Sequence, residues 1–286
     1  MSHNLLSNRL EGIIDNDRHP LDDAAYISQA RQTLDEAGVL CLDGFLTEPA
    51  LSALIEEASI GAPQAFFANS THNVYLTPPD KSLPDDHIFN RQVTSSKGCI
   101  TTDQIPAESA LHTLYHDKAF QDFICGVVGQ EAVYPYADPL SSINVHYAHE
   151  GQELGWHFDN SSFAITLLLQ APLDGGAFEY VKDVRDADRG EMNFDGVRSI
   201  LDGDTPPEIL SIAPGTLVLF RGRNAMHRVT PTIGSRTRYL VVLAYNDAPD
   251  IALSPSARMT FYGRLGPNEA PNEAPNETTG EDKPLS

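Results

Sequence analysis

Apolar positions recur every three to four residues through most of the first 130 residues, and beyond Tyr134 they give way to short β-like runs. In the first part, Ile27, Ala30, Leu34 and Ala37 fall on one stripe. Asp22 and Asp23 precede that stripe and Gly38 follows it, so both ends of an amphipathic helix are marked. Val39 to Leu42 reads as a short apolar strand. Thr47, followed by Glu48 and Pro49, caps a second helix that turns Leu51, Leu54, Ile55 and Ala58 inward and stops at Gly61. From Phe66 to Ile100 the pattern is irregular and rich in Pro, Asn and Asp, which predicts a long loop region with one strand, of the kind that often carries function. Helical spacing returns from Pro106 to Gly129.

The β grammar begins with Ser142 to Tyr147 and Phe163 to Gln170. Further runs are Ala177 to Val181, Glu208 to Ile212, Thr216 to Arg221, His227 to Thr230 and Arg238 to Tyr245. Many short strands separated by turn signals such as Gly175-Gly176 and Pro214-Gly215 predict a mainly β barrel or sandwich with flanking α-helices. The stretch Arg185 to Pro207 is polar and reads as a surface excursion. Pro267 to Thr278 repeats PNEA, PNEA, PNET before a polar remainder ending at Ser286, an acidic low-complexity tail expected to be disordered. The expected organisation is a single domain over 1–266, helical in 1–133 and β in 134–266, with the tail at 267–286.

Composition narrows the partners. Forty acidic against 19 basic residues give a formal charge of -21, which repels polyphosphate at long range and disfavours nucleic acid. No run approaches the length of a membrane span, and Met1 to Asp17 has no basic start followed by an apolar block. The expectation is a soluble, cytoplasmic protein with a small-molecule partner and no membrane contact. The pattern leaves the oligomeric state unread. The three cysteines, Cys41, Cys99 and Cys125, are widely spaced and read as reduced thiols.

The chemistry concentrates in Trp156-His157-Phe158-Asp159. Residues two apart in extended chain share a face, so His157 and Asp159 present an imidazole and a carboxylate to one point. His227, 70 residues on and beyond several strand-like runs, supplies a third ligand. Together they would form a two-histidine, one-carboxylate facial triad, which leaves open positions on Fe(II). Arg238 opens the last apolar run and offers a bidentate fork for a dicarboxylate, with Arg236 as its competitor. His112 and His116 share a helix face, but HTLYH lacks the Glu of a metalloprotease, so no general base is in view.

These residues resemble the Fe(II)/2-oxoglutarate-dependent oxygenase superfamily, whose pattern is His-x-Asp, a distal His and a following Arg. The resemblance spans roughly Ser142 to Tyr245 and implies a double-stranded β-helix core (jelly-roll, cupin-like) with N-terminal helices. It implies Fe(II) on His157, Asp159 and His227, 2-oxoglutarate as co-substrate held by Arg238, and O2. Asn144 and His146 become further candidates for the co-substrate pocket. GWHFDNSSFAITLLLQAP, GGAFEY, HRVTP and the closing FYGR are similar to the carrier-independent amino-acid hydroxylases and halogenases. Halogenases of that branch carry Gly where this chain has Asp159, so the resemblance implies hydroxylation of an unactivated C–H bond, with succinate and CO2 as co-products. For an amino-acid substrate, Arg91 is the candidate partner of the carboxylate, Asn160 and Asp138 are candidate acceptors for the ammonium, and Trp156 is a candidate wall. Competing readings are a cupin-like metal enzyme that uses no 2-oxoglutarate and a non-catalytic ligand-binding β-sandwich. Arg238 separates the first of these from the oxygenase reading.

Overall fold

The computed structural model describes residues 9–84 and 86–267. The tail expected to be disordered falls outside the described residues from 268 onward.

Helix α1 (Ala24–Ala37) starts where the Asp23 carboxylate accepts from the Tyr26 N–H, and it ends at Gly38, whose φ of 76° closes the C-terminus. Strand β1 (Val39–Leu42) follows, then α2 (Glu48–Gly61), capped by Thr47 with Pro in the first turn. The segment expected to be mostly loop instead forms two long strands, β2 (Phe66–Asn73) and β3 (Gln92–Ile100), paired antiparallel from Phe66↔Cys99 to Asn73↔Gln92. Their polar sequences hid them, because much of β2 is exposed and neither strand carries a clean apolar alternation. The helical stretch after Pro106 is two helices, α3 (Ala110–His116) and α4 (Lys118–Val128), divided by Asp117, which ends one and caps the other.

The β part comprises β4 (Ile143–Ala148), β5 (Leu154–His157), β6 (Ala164–Gln170), β7 (Asp174–Gly175) and β8 (Phe178–Val181). It continues with β9 (Glu208–Leu210), β10 (Leu217–Phe220), β11 (Met226–Val229), β12 (Thr232–Ile233) and β13 (Arg238–Leu243). Within the expected surface excursion lies a helix, α5 (Phe194–Leu201), whose Val197 and Ile200 are buried. A last helix, α6 (Pro255–Tyr262), also went unpredicted.

Eleven strands join in one antiparallel sheet in the order β1-β10-β6-β13-β4-β3-β5-β11-β8-β9, with β2 on β3. The sheet curls into a jelly-roll-like double-stranded β-helix with helices outside. Period-two alternation assigns the two faces. Ile143, Val145 and Tyr147 of β4 and Tyr239, Val241 and Leu243 of β13 turn outward into a large core shared with Leu34, Leu54, Phe120 and Phe123 of the helices. Asn144, His146 and Ala148 of β4, and Arg238 of β13, therefore turn inward. Arg238 pairs with Ala148, and Leu240 pairs with His146 across the ladder. A second cluster, with Tyr75, Trp156, Phe158, Val197 and Met226, covers the outside of β5 and β11. No helix among the described residues is long and apolar enough to cross a membrane.

Candidate metal centre and active site

β5 and β11 pair antiparallel with His157 directly opposite His227, and their ring centroids are 4.1 Å apart. Asp159 follows two residues beyond His157, just past the strand end. Its Oδ1 lies 3.6 Å from His157 Nε2 and 3.3 Å from His227 Nε2. These three are the group of His, Cys, Asp or Glu side chains among the described residues able to hold a metal, with ligand atoms all within 4.8 Å of one another.

The surroundings set the donors. His157 Nδ1 lies 2.8 Å from the Gly155 carbonyl and His227 Nδ1 lies 3.1 Å from the Ala225 carbonyl. A carbonyl only accepts, so each Nδ1 carries the proton and each Nε2 lone pair faces the shared point. Both carboxylate oxygens of Asp159 are buried without a hydrogen-bond partner. A fully buried carboxylate without a partner is costly, and a cation at this point removes the cost. Burial first, and then the neighbouring His227, pushes His157 down to about 3, which leaves it neutral and ready to ligate. Burial alone would raise Asp159, but His227 and then His157 outweigh it and hold the carboxyl below its ordinary value. Phe178 and Phe220 flank the His227 ring at 5.5 and 4.8 Å and keep that side dry. Two imidazoles and one carboxylate on one side of a point fit Fe(II) with open positions opposite.

Arg238 is 7% exposed and turned into the barrel, and it makes no hydrogen bond or ion pair with a described residue. Burial pushes it down to about 10, still charged at neutral pH. A buried guanidinium without a partner is free to pair with an anion. Arg236 is exposed and donates to the Pro172 carbonyl at 2.8 Å, so it is not brought to the site. His146 lies inside the barrel, 3.3 Å from Lys97 Nζ. The Asn144 amide donates to the Leu140 and Ile143 carbonyls, and its oxygen accepts from the Tyr262 hydroxyl, so its polar groups are already engaged.

A chamber of about 420 Å³ opens beside His157, with Lys97, His72, Ser95, Leu76 and Phe261 in its walls. His72 is fixed by hydrogen bonds to the Asn73 carbonyl and the Ser95 hydroxyl. The residues expected to grip an amino acid lie elsewhere. Arg91 is exposed, paired with Asp202 and donating to the Leu201 carbonyl. Asp138 is buried and ties down a turn, accepting from the Leu140 and Ser141 N–H groups, the Ser141 hydroxyl and the Leu253 N–H. Asn160 sits on a separate polar cleft with Asp188 and Arg223. Trp156 packs outside the barrel, with the Arg228 guanidinium 4.9 Å above its ring. Lys97, His72 and Ser95 escaped the sequence reading because β2 and β3 themselves did.

A curled antiparallel sheet with this triad and the partnerless Arg238 on its inner face fits a 2-oxoglutarate- and Fe(II)-dependent oxygenase, whose cofactor set is Fe(II), 2-oxoglutarate and O2. The family described as Halogenase D matches residues 85–260, more than half the sequence, and the chain belongs to that family. No curated protein matches. Among solved structures, the fold is similar to the non-heme alpha ketoglutarate dependent epimerase SnoN from nogalamycin biosynthesis. That match has a TM-score of 0.55 at 12% identity and covers 92% of this chain and 97% of that one. The carbocyclase SnoK of the same biosynthesis aligns with TM-score 0.53 at 11% identity, over 76% of this chain and 82% of its own. A prolyl hydroxylase from Trichoplax adhaerens aligns with TM-score 0.51 at 13% identity, over 78% and 90%.

Proposed function

We propose that this enzyme hydroxylates an unactivated C–H bond of a small molecule, with free amino acids and their derivatives as the substrate class. The observation that carries the reading is Asp159, whose carboxylate completes the triad with both oxygens unpartnered. In the halogenases that the sequence resembles, Gly at this position leaves room for halide. Here a carboxylate fills that room.

Fe(II), when bound with 2-oxoglutarate and O2, supplies the oxidising power for C–H cleavage. The chain's own residues do the rest. His157 and His227 direct their Nε2 lone pairs to one point because the Gly155 and Ala225 carbonyls hold the opposite nitrogens. Asp159 would bring one negative charge to the metal as its third protein ligand. Arg238 holds the far carboxylate of 2-oxoglutarate, and the chamber beside His157 orients the substrate carbon.

The test is product analysis by mass spectrometry with chloride present, after a panel of free amino acids and derivatives has been screened for succinate formation. The expected product is heavier by one oxygen and contains no halogen. A chlorinated major product would overturn the hydroxylase reading.

A further inference from the structure

Gly222 lies in the turn between β10 and β11, immediately before the strand that carries His227. A Cβ placed on it would overlap Asp159 Oδ2 and come within 3.0 Å of Asp159 Cβ. Its φ lies outside the left-handed region, so the backbone conformation does not call for glycine here. The space does.

Neither main chain is free to step aside. The Asp159 N–H donates to the Gly222 carbonyl at 3.1 Å, which ties the two residues directly. The Asp159 carbonyl is approached at 3.5 Å by Nη2 of Arg185, whose guanidinium lies 4.1 Å over the Phe158 ring. The next carbonyl, that of Asn160, accepts from Arg223 Nη1 at 3.0 Å. On the glycine side, the Arg221 N–H donates to the Gly38 carbonyl at 2.8 Å and the Val184 N–H to the Asn224 carbonyl at 2.9 Å. With both backbones held, the overlap of a methyl group at 222 with Asp159 Oδ2 and Cγ is relieved by rotating the carboxylate away from His157 and His227, and the 3.0 Å approach to Asp159 Cβ by a shift of a few tenths of an ångström.

We propose that Gly222 is a positioning residue that aims the Asp159 carboxylate at the metal by leaving the space behind it unfilled, so that the two residues act as one unit. The inference rests on reading Asp159 as an iron ligand. It adds that the ligand's orientation is set by a missing side chain on a different loop. It also says what happens when the carboxylate is absent: alanine at 222 would then sit in vacated space and disturb little.

The test is a double-mutant cycle on the full chain with Gly222→Ala, Asp159→Gly and the double variant, and with His227→Ala as control. Fe(II) affinity is measured by anaerobic titration, with the absorption of the Fe(II)–2-oxoglutarate complex and the melting temperature as further readouts. Gly222→Ala should weaken Fe(II) binding by about 10- to 100-fold, the range for residues that orient a metal ligand. In the Asp159→Gly background the same change should cost less than about twofold, the non-additivity expected of groups in contact. The absorption band should change with Gly222→Ala in the native background only. Should Gly222→Ala fold poorly, the double variant should melt higher than it does, because removing the carboxylate relieves the overlap. Native Fe(II) affinity and spectrum in Gly222→Ala would overturn the proposal, as would equal penalties in both backgrounds. Undiminished Fe(II) affinity in His227→Ala would instead overturn the triad reading beneath it.

Discussion

His157 and His227 meet as a cross-strand pair, and Asp159 reaches the same point from two residues beyond His157, so losing either histidine has the same expected phenotype. His157→Ala and His227→Ala should each abolish Fe(II)-dependent succinate formation while leaving a cooperative melt, since each removes a ligand and leaves the outer core untouched. Full turnover by either variant would sink the assignment. Arg238→Ala removes the unpaired guanidinium, and a charge-assisted fork contributes on the order of 2 to 3 kcal/mol, or roughly 30- to 150-fold in affinity for 2-oxoglutarate. Arg236→Ala loses only a bond to the Pro172 carbonyl, so its 2-oxoglutarate KM should stay near native. Lys97 offers a pH test. Burial pushes its amine from the ordinary 10.5 down to about 8, so the folded state favours the neutral form. The stability it contributes is fully present above about 10.5 and is lost as pH falls through about 8. Lys97→Met in the metal-free protein should therefore be more stable at pH 7, by on the order of 3 kcal/mol, and lose that advantage as pH rises through the same window. Denaturant melts at pH 7 and pH 10 read this directly. The meeting of His157, Asp159 and His227 was legible in sequence because residues two apart in extended chain share a face and strand-like runs return the chain to it at His227. Lys97 was not, since a lone lysine among Ser, Thr and Gly reads as surface until a strand places it inside.

At the scale of elements, the register between β3 and β5 carries the most information for the site. One pairing, Ser95↔Leu154, joins these strands and so links the larger half of the sheet to the strand bearing His157. Gly155 makes that approach possible, because a Cβ there would run into the Thr94 carbonyl and come within 3.0 Å of Val93 Cγ2. Gly155→Ala should cost about 1–3 kcal/mol, as overpacking does, and weaken Fe(II) binding as well, because the Gly155 carbonyl holds His157 Nδ1. Thermal melts and metal titration on the same variant check both effects; a destabilised protein with native Fe(II) affinity would contradict the link. Helices α1 and α2 were readable because capping residues and an apolar stripe agreed at both ends. β2 and β3 were not, since these two strands carry hydroxyls, amides and a lysine where a half-buried strand would carry Val or Ile. α5 was obscured by the polar residues around its short buried stripe.

Across the whole molecule, the large core lies between the helices and the outer face of the sheet, and the chemistry lies on the inner face. Fold stability and metal affinity should therefore separate. Phe123→Ala empties a fully buried site in that core and should cost about 3–5 kcal/mol while changing Fe(II) affinity less than about twofold. Denaturant melts beside metal titrations measure the split. The two faces were partly legible, because Ile143, Val145 and Tyr147 of β4 alternate with Asn144 and His146, but β13 beyond Arg238 is apolar on both faces and the pattern could not say which polar residues of the inner face would meet. The opposed pair His157 and His227 belongs to the ladder itself, whereas much of the chamber wall comes from Leu76 to Pro79 and from Ala257 to Phe261, segments far away along the chain. The proposed reaction and substrate choice would thus rest on different stretches of sequence. Under the proposed function, substitutions in the wall segments would change which molecule is admitted without touching His157, Asp159 or His227.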